Sequence, residues 1–192
     1  MMNRHRCIRA ALLATLAIAL TVPAVFVAAR AQTTPPDISP KFLLATDKAP
    51  RGRTTSAAVV LNIPAGYHVN AHNPVSKFAL PTKLEIDAPG GIKVSPVVYP
   101  RAIVRRFSFS EDRLGVYENR AMLRFNITVP PDQPTGTTEL KAHVTYQSCS
   151  NQVCFPPVKR DISIPLEIGT AKDQVKQVNG KDFGSQHKRR RS

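Results

Sequence analysis

The chain of 192 residues contains no tryptophan, only 6% aromatic residues, nine glycines and three cysteines. So few cysteines exclude a small scaffold held together by several disulfides, and the scarce glycines exclude a collagen-like repeat. Apart from one N-terminal stretch, no apolar run approaches membrane-spanning length, which excludes a polytopic membrane protein. Seventeen prolines disfavour long helices, because proline lacks the N–H that a helix interior needs. The 42% hydrophobic content still suffices for one domain with a buried core.

The N-terminus has the organisation of a secretory signal peptide. Three arginines within the first nine residues precede an apolar stretch at 10–29, and an A-x-A cleavage sequence follows at 29–31. We therefore expect residues 1–31 to be cleaved after Ala31, which leaves a periplasmic protein that begins at Gln32. An uncleaved N-terminal anchor is the alternative, and the small-residue site disfavours it.

Half of the net positive charge of the mature chain lies in its C-terminal residues. Residues 169–192 hold seven of the Lys and Arg residues and lack apolar periodicity. Their last six residues have the composition of a nucleic-acid patch, but an exported protein has no nucleic-acid partner to expect. The sequence therefore predicts a basic disordered tail at 169–192, able to contact an anionic membrane surface.

Between residues 37 and 168, short apolar or alternating runs are separated by proline, glycine and asparagine. Alternation with period two is the signature of a strand that is buried on one face. The runs that we predict as strands are residues 42–44, 57–63, 83–88, 92–99, 122–129, 139–146 and 160–168. Seven to nine strands without a long helix predict an all-β fold, an antiparallel β-sandwich over residues 37–168. Residues 32–36 are expected to be a linker.

The mature chain retains two cysteines, Cys149 and Cys154, which an oxidising compartment would join in a disulfide. So small a loop removes only about 2 kcal/mol of unfolded-state entropy, and a short solvent-near disulfide exchanges readily with a thiolate. Physical reasoning alone leaves a structural bridge and a redox pair equally open. It ranks a metal site lower, because no further Cys or His lies at ligand spacing and His68, His72 and His143 are scattered. We expect no cofactor and no bound metal.

The segment Tyr146-Gln147-x-Cys149-x4-Cys154-x-Pro156-Pro157 resembles the redox hairpin of a known family. This is the N-terminal (alpha) domain of the thiol:disulfide interchange protein DsbD, also described as a disulfide bond corrector domain. Three upstream segments are similar to that family in the same order: Gly66-Tyr67-His68-Val69-Asn70, Leu80-Pro81-Thr82, and residues 107–118. The resemblance extends over about residues 37–168.

This resemblance implies an immunoglobulin-like sandwich in which Cys149 and Cys154 alternate between dithiol and disulfide. It also implies electron exchange with thioredoxin-like periplasmic oxidoreductases. Nothing after residue 168 resembles a membrane domain or a thioredoxin fold. The expectation is therefore a free-standing domain whose electron donor, such as a membrane protein, is a separate polypeptide. The direction of electron flow stays open.

The same resemblance suggests roles for individual residues. Cys154 is expected to carry the exchanging sulfur and Cys149 to resolve the mixed disulfide. Phe107 or Phe109, with Phe109 preferred, would shield the pair as part of the family's cap loop. Glu111, on the same loop, would raise a thiol pKa.

Asp112, like Glu111, is expected to raise a thiol pKa. The alternative is that both are ordinary solvated acids of a loop. For Phe107 and Phe109 the alternative is that they simply pack in the core. Tyr146 either packs beneath the cysteine pair or belongs to the β-core. Two other functions stay open: a non-catalytic β-sandwich interaction module with a structural Cys149–Cys154 clip, and a periplasmic metal-handling module. Equilibration of the pair with a redox buffer separates the first of these from a redox domain.

Overall fold

The computed structural model describes residues 34–184, and nearly all of their regular structure is β-strand. The strands are short because proline, glycine and asparagine end them frequently. In chain order the elements are β1 Lys41–Leu44, β2 Ala49–Pro50, β3 Thr54–Asn62, β4 Tyr67–Asn70, β5 Lys83–Asp87, β6 Lys93–Val94, β7 Ile103–Arg106, β8 Arg113–Tyr117, β9 Arg120–Thr128, β10 Gly136–Tyr146, β11 Ser148–Ser150, β12 Val158–Gly169 and the helix α1 Gly180–Phe183.

Two of the sheets form the sandwich. One has the strand order β1-β3-β9-β6, and the other has the order β2-β12-β10-β5. Their strands pair antiparallel, except that β2 runs parallel to the end of β12. Buried side chains of both sheets belong to one continuous apolar cluster. The predicted all-β, immunoglobulin-like antiparallel sandwich is thus confirmed.

Alternation along the strands determines which side chains form the core. From Leu140 in β10 and from Ile164 in β12, every second residue is apolar and buried, and the residues between them are more exposed. A period of two places these apolar residues on one face of the sheet. The core lies between that face and the inward residues of the other sheet, which are Ala57, Val59, Leu61, Leu123, Phe125 and Ile127.

A third sheet, with the order β11-β4-β8-β7, adjoins the sandwich. Its inner face contributes Val69 and Tyr117 to the main core. Its outer face carries a separate apolar cluster of Phe107, Leu114 and Val116. This sheet therefore has a small core of its own, distinct from that of the sandwich.

Gly115 in β8 lets the connection between β4 and β5, residues 71–82, lie close to this third sheet. The Gly115 N–H donates to the carbonyl of Pro74 at 2.6 Å. A Cβ at this position would lie only 2.8 Å from the carbonyl oxygen of Asn73. A larger residue would therefore push the 71–82 connection away from the sheet.

The segment after β12 is also ordered against the sandwich, and we call residues 170–184 the C-terminal strap. Thr46 forms an isolated β-bridge with Gln177. The side-chain amide of Asn179 donates to the carbonyl of Leu44 at 2.9 Å. These contacts attach the strap along β1 and the residues that follow it.

The end of the strap covers an apolar patch on the outer face of β3 and β9. Phe183 packs against the cluster of Ala58, Val60 and Met122. The prediction of a disordered tail is therefore wrong for residues 169–184, because one aromatic side chain anchors a segment that has no apolar periodicity. Residues 185–192 lie outside the described part of the chain.

Other sequence predictions differ from the structure or fall outside it. The strand predicted at 92–99 is only β6 followed by an isolated bridge between Val98 and Arg124, which fits the prolines on either side of that bridge. The predicted signal peptide, residues 1–31, lies outside the described residues. Between residues 34 and 184, no helix has the length and apolar character needed to cross a membrane.

Candidate redox site

Cys149 and Cys154 form a disulfide across the tight turn that follows β11. Two backbone hydrogen bonds close the turn: Ser150 N–H donates to Val153 at 2.8 Å, and Phe155 N–H donates to Ser148 at 2.9 Å. The two cysteines face each other as a β-bridge, with their Cα atoms 3.9 Å apart. The predicted hairpin, with a turn at 150–153, is thus present and brings the sulfurs together.

The two cysteines differ sharply in exposure. Cys149 is completely buried, with 0% of its surface exposed. Cys154 is partly exposed and lines an open cleft of about 390 Å³. A thiolate that enters this cleft therefore meets Cys154 before it meets Cys149.

Two loops form the walls of the cleft. One is the cap loop, residues 107–112, and the other is the 71–82 connection. The hydroxyl of Ser76 donates to a carboxylate oxygen of Asp112 at 2.7 Å, which ties the two loops together. The lining residues from these loops are Ser76, Phe78, Ala79, Phe109, Ser110, Glu111 and Asp112.

The cap loop also contacts the cysteine hairpin directly. The hydroxyl of Ser108 donates to the carbonyl of Asn151, in the turn between the cysteines, at 3.2 Å. The rings of Phe107 and Phe109 lie 5.3 Å apart and nearly parallel. The loop is thus held over the disulfide by one hydrogen bond and by aromatic packing.

His68 lies directly beside the buried cysteine. It occupies β4, where it is the register partner of Cys149 on β11. Its ring is only 2% exposed and stacks on Phe107 with 4.0 Å between ring centroids. Burial, with a smaller contribution from the Arg105 guanidinium, lowers the pKa of His68 from 6.5 to about 4. The imidazole is therefore neutral at neutral pH.

Two buried polar atoms on the same face of β4 lack hydrogen-bond partners among the described residues. They are Nε2 of His68 and Oδ1 of Asn70. The amide nitrogen of Asn70 donates to Oε1 of Gln147 at 3.0 Å, and Gln147 in turn donates to the carbonyl of Phe155. This chain of amides connects β4 to both ends of the cysteine hairpin.

The structure brings most of the predicted site residues together. Phe109, Glu111 and Asp112 line the cleft with Cys154, and Phe107 lies beneath them in the apolar cluster of the third sheet. Tyr146 is the exception. It lies in the main core with its hydroxyl donating to the carbonyl of Ile38 at 2.9 Å, and it does not line the cleft. Of the two alternatives for Tyr146, core packing is therefore the correct one, and its assignment to the site is wrong.

Sequence reasoning missed several residues of this site. As a metal ligand His68 is only one of three scattered histidines, but His68 and Asn70 alternate within the Gly66–Asn70 motif and so share one face of a strand. That alternation is the signal that could have placed both side chains together. Ser76 and Phe78 lie in an irregular connection, where no periodicity indicates which way a side chain points.

Exposed apolar side chains surround the mouth of the cleft. Phe78, which lines it, is 80% exposed, and Val153, next to Cys154, is 42% exposed. Val75 and Leu80 on the 71–82 connection are 67% and 47% exposed. A cluster of apolar side chains in water is typical of a surface that another molecule covers.

The described residues offer no metal centre beside the disulfide. Within residues 34–184, no three His, Cys, Asp or Glu side chains are arranged to hold an ion. The chemistry that this arrangement supports directly is that of the two sulfurs.

Comparison with known proteins gives one family match. Residues 40–166 match the family described as thiol:disulfide interchange protein DsbD, N-terminal. No curated protein matches the chain.

Solved structures include similar chains at low identity. The reduced N-terminal domain of DsbD from Neisseria meningitidis is 19% identical with a TM-score of 0.43, and the match covers 73% of this chain and 89% of that one. The N-terminal periplasmic domain of ScsB from Proteus mirabilis is 13% identical with a TM-score of 0.46. That match covers 78% of this chain and 52% of the ScsB chain, so this chain spans about half of the ScsB domain.

The family match extends over more than half of the chain and includes both cysteines of the hairpin. This chain therefore belongs to the family of the N-terminal domain of the thiol:disulfide interchange protein DsbD, and it is a thiol–disulfide interchange domain.

Proposed function

We propose that this domain relays electrons through Cys149 and Cys154 to or from thioredoxin-like oxidoreductases of the periplasm. The observation that carries the proposal is the unequal exposure of the two sulfurs, since Cys149 is buried and Cys154 opens into a cleft. A structural clip has no need for one reachable sulfur, whereas exchange through a mixed disulfide requires one.

In this proposal Cys154 is the sulfur that a partner thiolate attacks. The attack joins the partner to Cys154 and releases Cys149 as a thiolate. In the reverse direction, Cys154 attacks a partner disulfide and Cys149 resolves the mixed disulfide. The burial of Cys149 supports this division of roles, because a partner cysteine reaches it only through Cys154.

The exposed apolar side chains around the cleft support a protein partner. A thioredoxin-like partner must bring its own cysteine to Cys154, and its surface would then cover Phe78 and Val153. Replacing Phe78 by Ser should weaken this docking and slow disulfide exchange. Val98 provides a matched control, because it is 63% exposed but does not line this cleft. Val98→Ser should leave the exchange rate unchanged.

The cap loop is proposed to limit access to Cys154 until a partner docks. Ser108→Ala removes the hydrogen bond to Asn151 and should speed alkylation of Cys154 in the reduced protein. Ser110→Ala is the control, since its hydroxyl bonds only within the loop, to the carbonyl of Asp112. Glu111 and Asp112, at the same cleft, are proposed to keep the thiol of Cys154 protonated by their negative charge.

The central experiment combines a redox titration with trapping. The wild-type pair should equilibrate reversibly with glutathione or thioredoxin buffers of defined potential. Cys149→Ala should accumulate a mixed disulfide with a thioredoxin-like partner, because the attacking sulfur remains and the resolving one is absent. Cys154→Ala should form none. The reverse trapping pattern would exchange the two roles, and a wild-type bridge that never equilibrates would leave the structural clip as the better function.

Export is the remaining part of the proposal. The signal sequence at 1–31 supports a periplasmic location, with cleavage after Ala31. The intact mass of the exported protein should then correspond to a chain that begins at Gln32. A membrane-bound protein that retains the apolar stretch would contradict this part.

A further inference from the structure

We infer that His68 is a positioning residue for disulfide exchange, which holds the sulfur of Cys149 by a hydrogen bond whenever the disulfide is open. The inference rests on the proposed function and assigns a role to a side chain that is neither of the reacting sulfurs. Its basis is the placement, beside the buried cysteine, of a buried imidazole nitrogen that has no partner in the described part of the chain.

The strand register places the two side chains next to each other. His68 and Cys149 are direct partners across the antiparallel pair β4–β11. Directly opposed residues project from the same face of a sheet, with Cβ atoms about 4.5–5.5 Å apart. Both side chains are also buried, so bulk solvent does not reach them.

The hydrogen-bonding state of His68 differs between the two redox forms. In the disulfide form, Nε2 of His68 is buried and has no partner among residues 34–184. A disulfide sulfur has no proton to donate and accepts hydrogen bonds poorly. When the disulfide opens, Cys149 becomes a thiolate that accepts from Nε2–H, or a thiol that donates to Nε2 in the other tautomer. Opening the disulfide therefore satisfies a polar atom that the closed form leaves unpaired.

The imidazole acts in this step without changing its own protonation. A partner thiolate attacks Sγ of Cys154, the Cys149–Cys154 bond breaks, and its electron pair stays on Cys149, to which Nε2–H donates. The second partner thiolate then attacks the partner's sulfur in the mixed disulfide and releases Cys154. In sum, the partner dithiol is oxidised to a disulfide, and its two electrons and two protons end on Cys149 and Cys154.

The surroundings of His68 keep the imidazole itself uncharged. The ring stacks on Phe107 from the cap loop, which fixes its plane. The charged group that acts on it is the Arg105 guanidinium on β7, which is paired with Glu118 at 2.6 Å. The acids of the cap loop, Glu111 and Asp112, line the cleft at Cys154. Burial and, to a smaller extent, Arg105 lower the pKa of His68, so the imidazole enters the step uncharged.

The test compares His68→Phe, which keeps a ring for stacking, with His68→Gln, which keeps a hydrogen-bonding group. In glutathione buffers, His68→Phe should shift the equilibrium towards the disulfide by about three- to tenfold, the equivalent of one lost hydrogen bond. His68→Gln should stay closer to wild type. His143→Phe is the control, because His143 lies on β10 between Asp87 and Asp161, and it should cause no shift.

A second readout measures Cys149 directly. In a Cys154→Ala background, ultraviolet absorbance of the thiolate should give a higher Cys149 pKa with His68→Phe than with His68. If the wild-type protein equilibrates with glutathione but His68→Phe changes neither the equilibrium nor the Cys149 pKa, the role of His68 is refuted and the proposed function stands. If the wild-type disulfide never equilibrates, the proposed function fails and this inference fails with it. Should His68→Phe not fold, His68→Leu against His68→Gln gives the same comparison.

Discussion

Protonation of His68 should couple the stability of this domain to pH. The folded-state pKa of about 4 lies below the ordinary value of 6.5, because burial disfavours the imidazolium. Between these two values the unfolded chain binds a proton that the folded chain does not bind. The free energy of unfolding should therefore decrease as the pH falls from about 7 to 4, and it should recover as the pH rises.

The size of this effect follows from the pKa difference. A change from 6.5 to about 4 corresponds to about 3 kcal/mol, since each pKa unit is worth 1.36 kcal/mol. The ring is only 2% exposed, so solvent screens little of this energy. The full loss should be present near pH 4 and absent above pH 7.

Urea denaturation at pH 7, 5.5 and 4, followed by far-UV circular dichroism, measures the effect. His68→Phe should lose the part of the pH dependence that comes from His68. Asp161, whose pKa is lowered by its hydrogen bond with His143, contributes stability that is lost at lower pH, and it does so equally in both proteins. Its contribution therefore cancels in the comparison. Equal pH slopes for wild type and His68→Phe would refute a buried, neutral His68.

Two further predictions concern stability. Reducing the Cys149–Cys154 bridge should lower the free energy of unfolding by about 2 kcal/mol, because closing so short a loop removes only this much unfolded-state entropy. Chemical denaturation with and without dithiothreitol tests this. Complete unfolding on reduction would contradict a redox function. Deleting residues 170–192 should lower the free energy of unfolding by about 2 kcal/mol, and the loss of the partly buried Phe183 should account for roughly half of this. Differential scanning calorimetry of the deletion and of Phe183→Ala tests this. Lys181→Ala, an exposed control, should not change the melting temperature, and an unaltered melting temperature for the deletion would show that the C-terminal strap contributes nothing.

The sequence predicted those parts of the fold in which local pattern and tertiary environment agree. In β10 and β12, apolar residues that face the core alternate with more exposed ones, so periodicity alone identified both strands. The cysteine hairpin was predictable for a similar reason, because a turn of four residues brings Cys149 and Cys154 opposite each other. These are local relations, and they do not depend on distant parts of the chain.

Prediction from the sequence failed where a contact depends on residues far apart in the chain. Phe183 packs against Ala58 and Val60, more than a hundred positions earlier, and no pattern near Phe183 indicates that partner. The hydroxyl of Tyr146 bonds the carbonyl of Ile38 in the core, so its proximity to Cys149 in sequence was misleading. Tyr146 lies three residues before Cys149, and an odd separation along extended chain places two side chains on opposite faces.

The domain keeps its reactive group apart from the structure that gives it stability. The core of the sandwich contains neither cysteine, because the disulfide belongs to the third sheet and its loops. Three departures from ordinary local structure lie in the parts of the chain around this cleft: Nε2 of His68, which has no partner among residues 34–184, the exposed ring of Phe78, and Val75, a β-branched residue with a φ of +75°. Each of these features costs stability, and the large core of the sandwich offsets that cost. The hydrogen bonds of Ser108 and Ser76 that hold the cap loop lie outside the core of the sandwich, so we expect the loop to open while the sandwich stays folded.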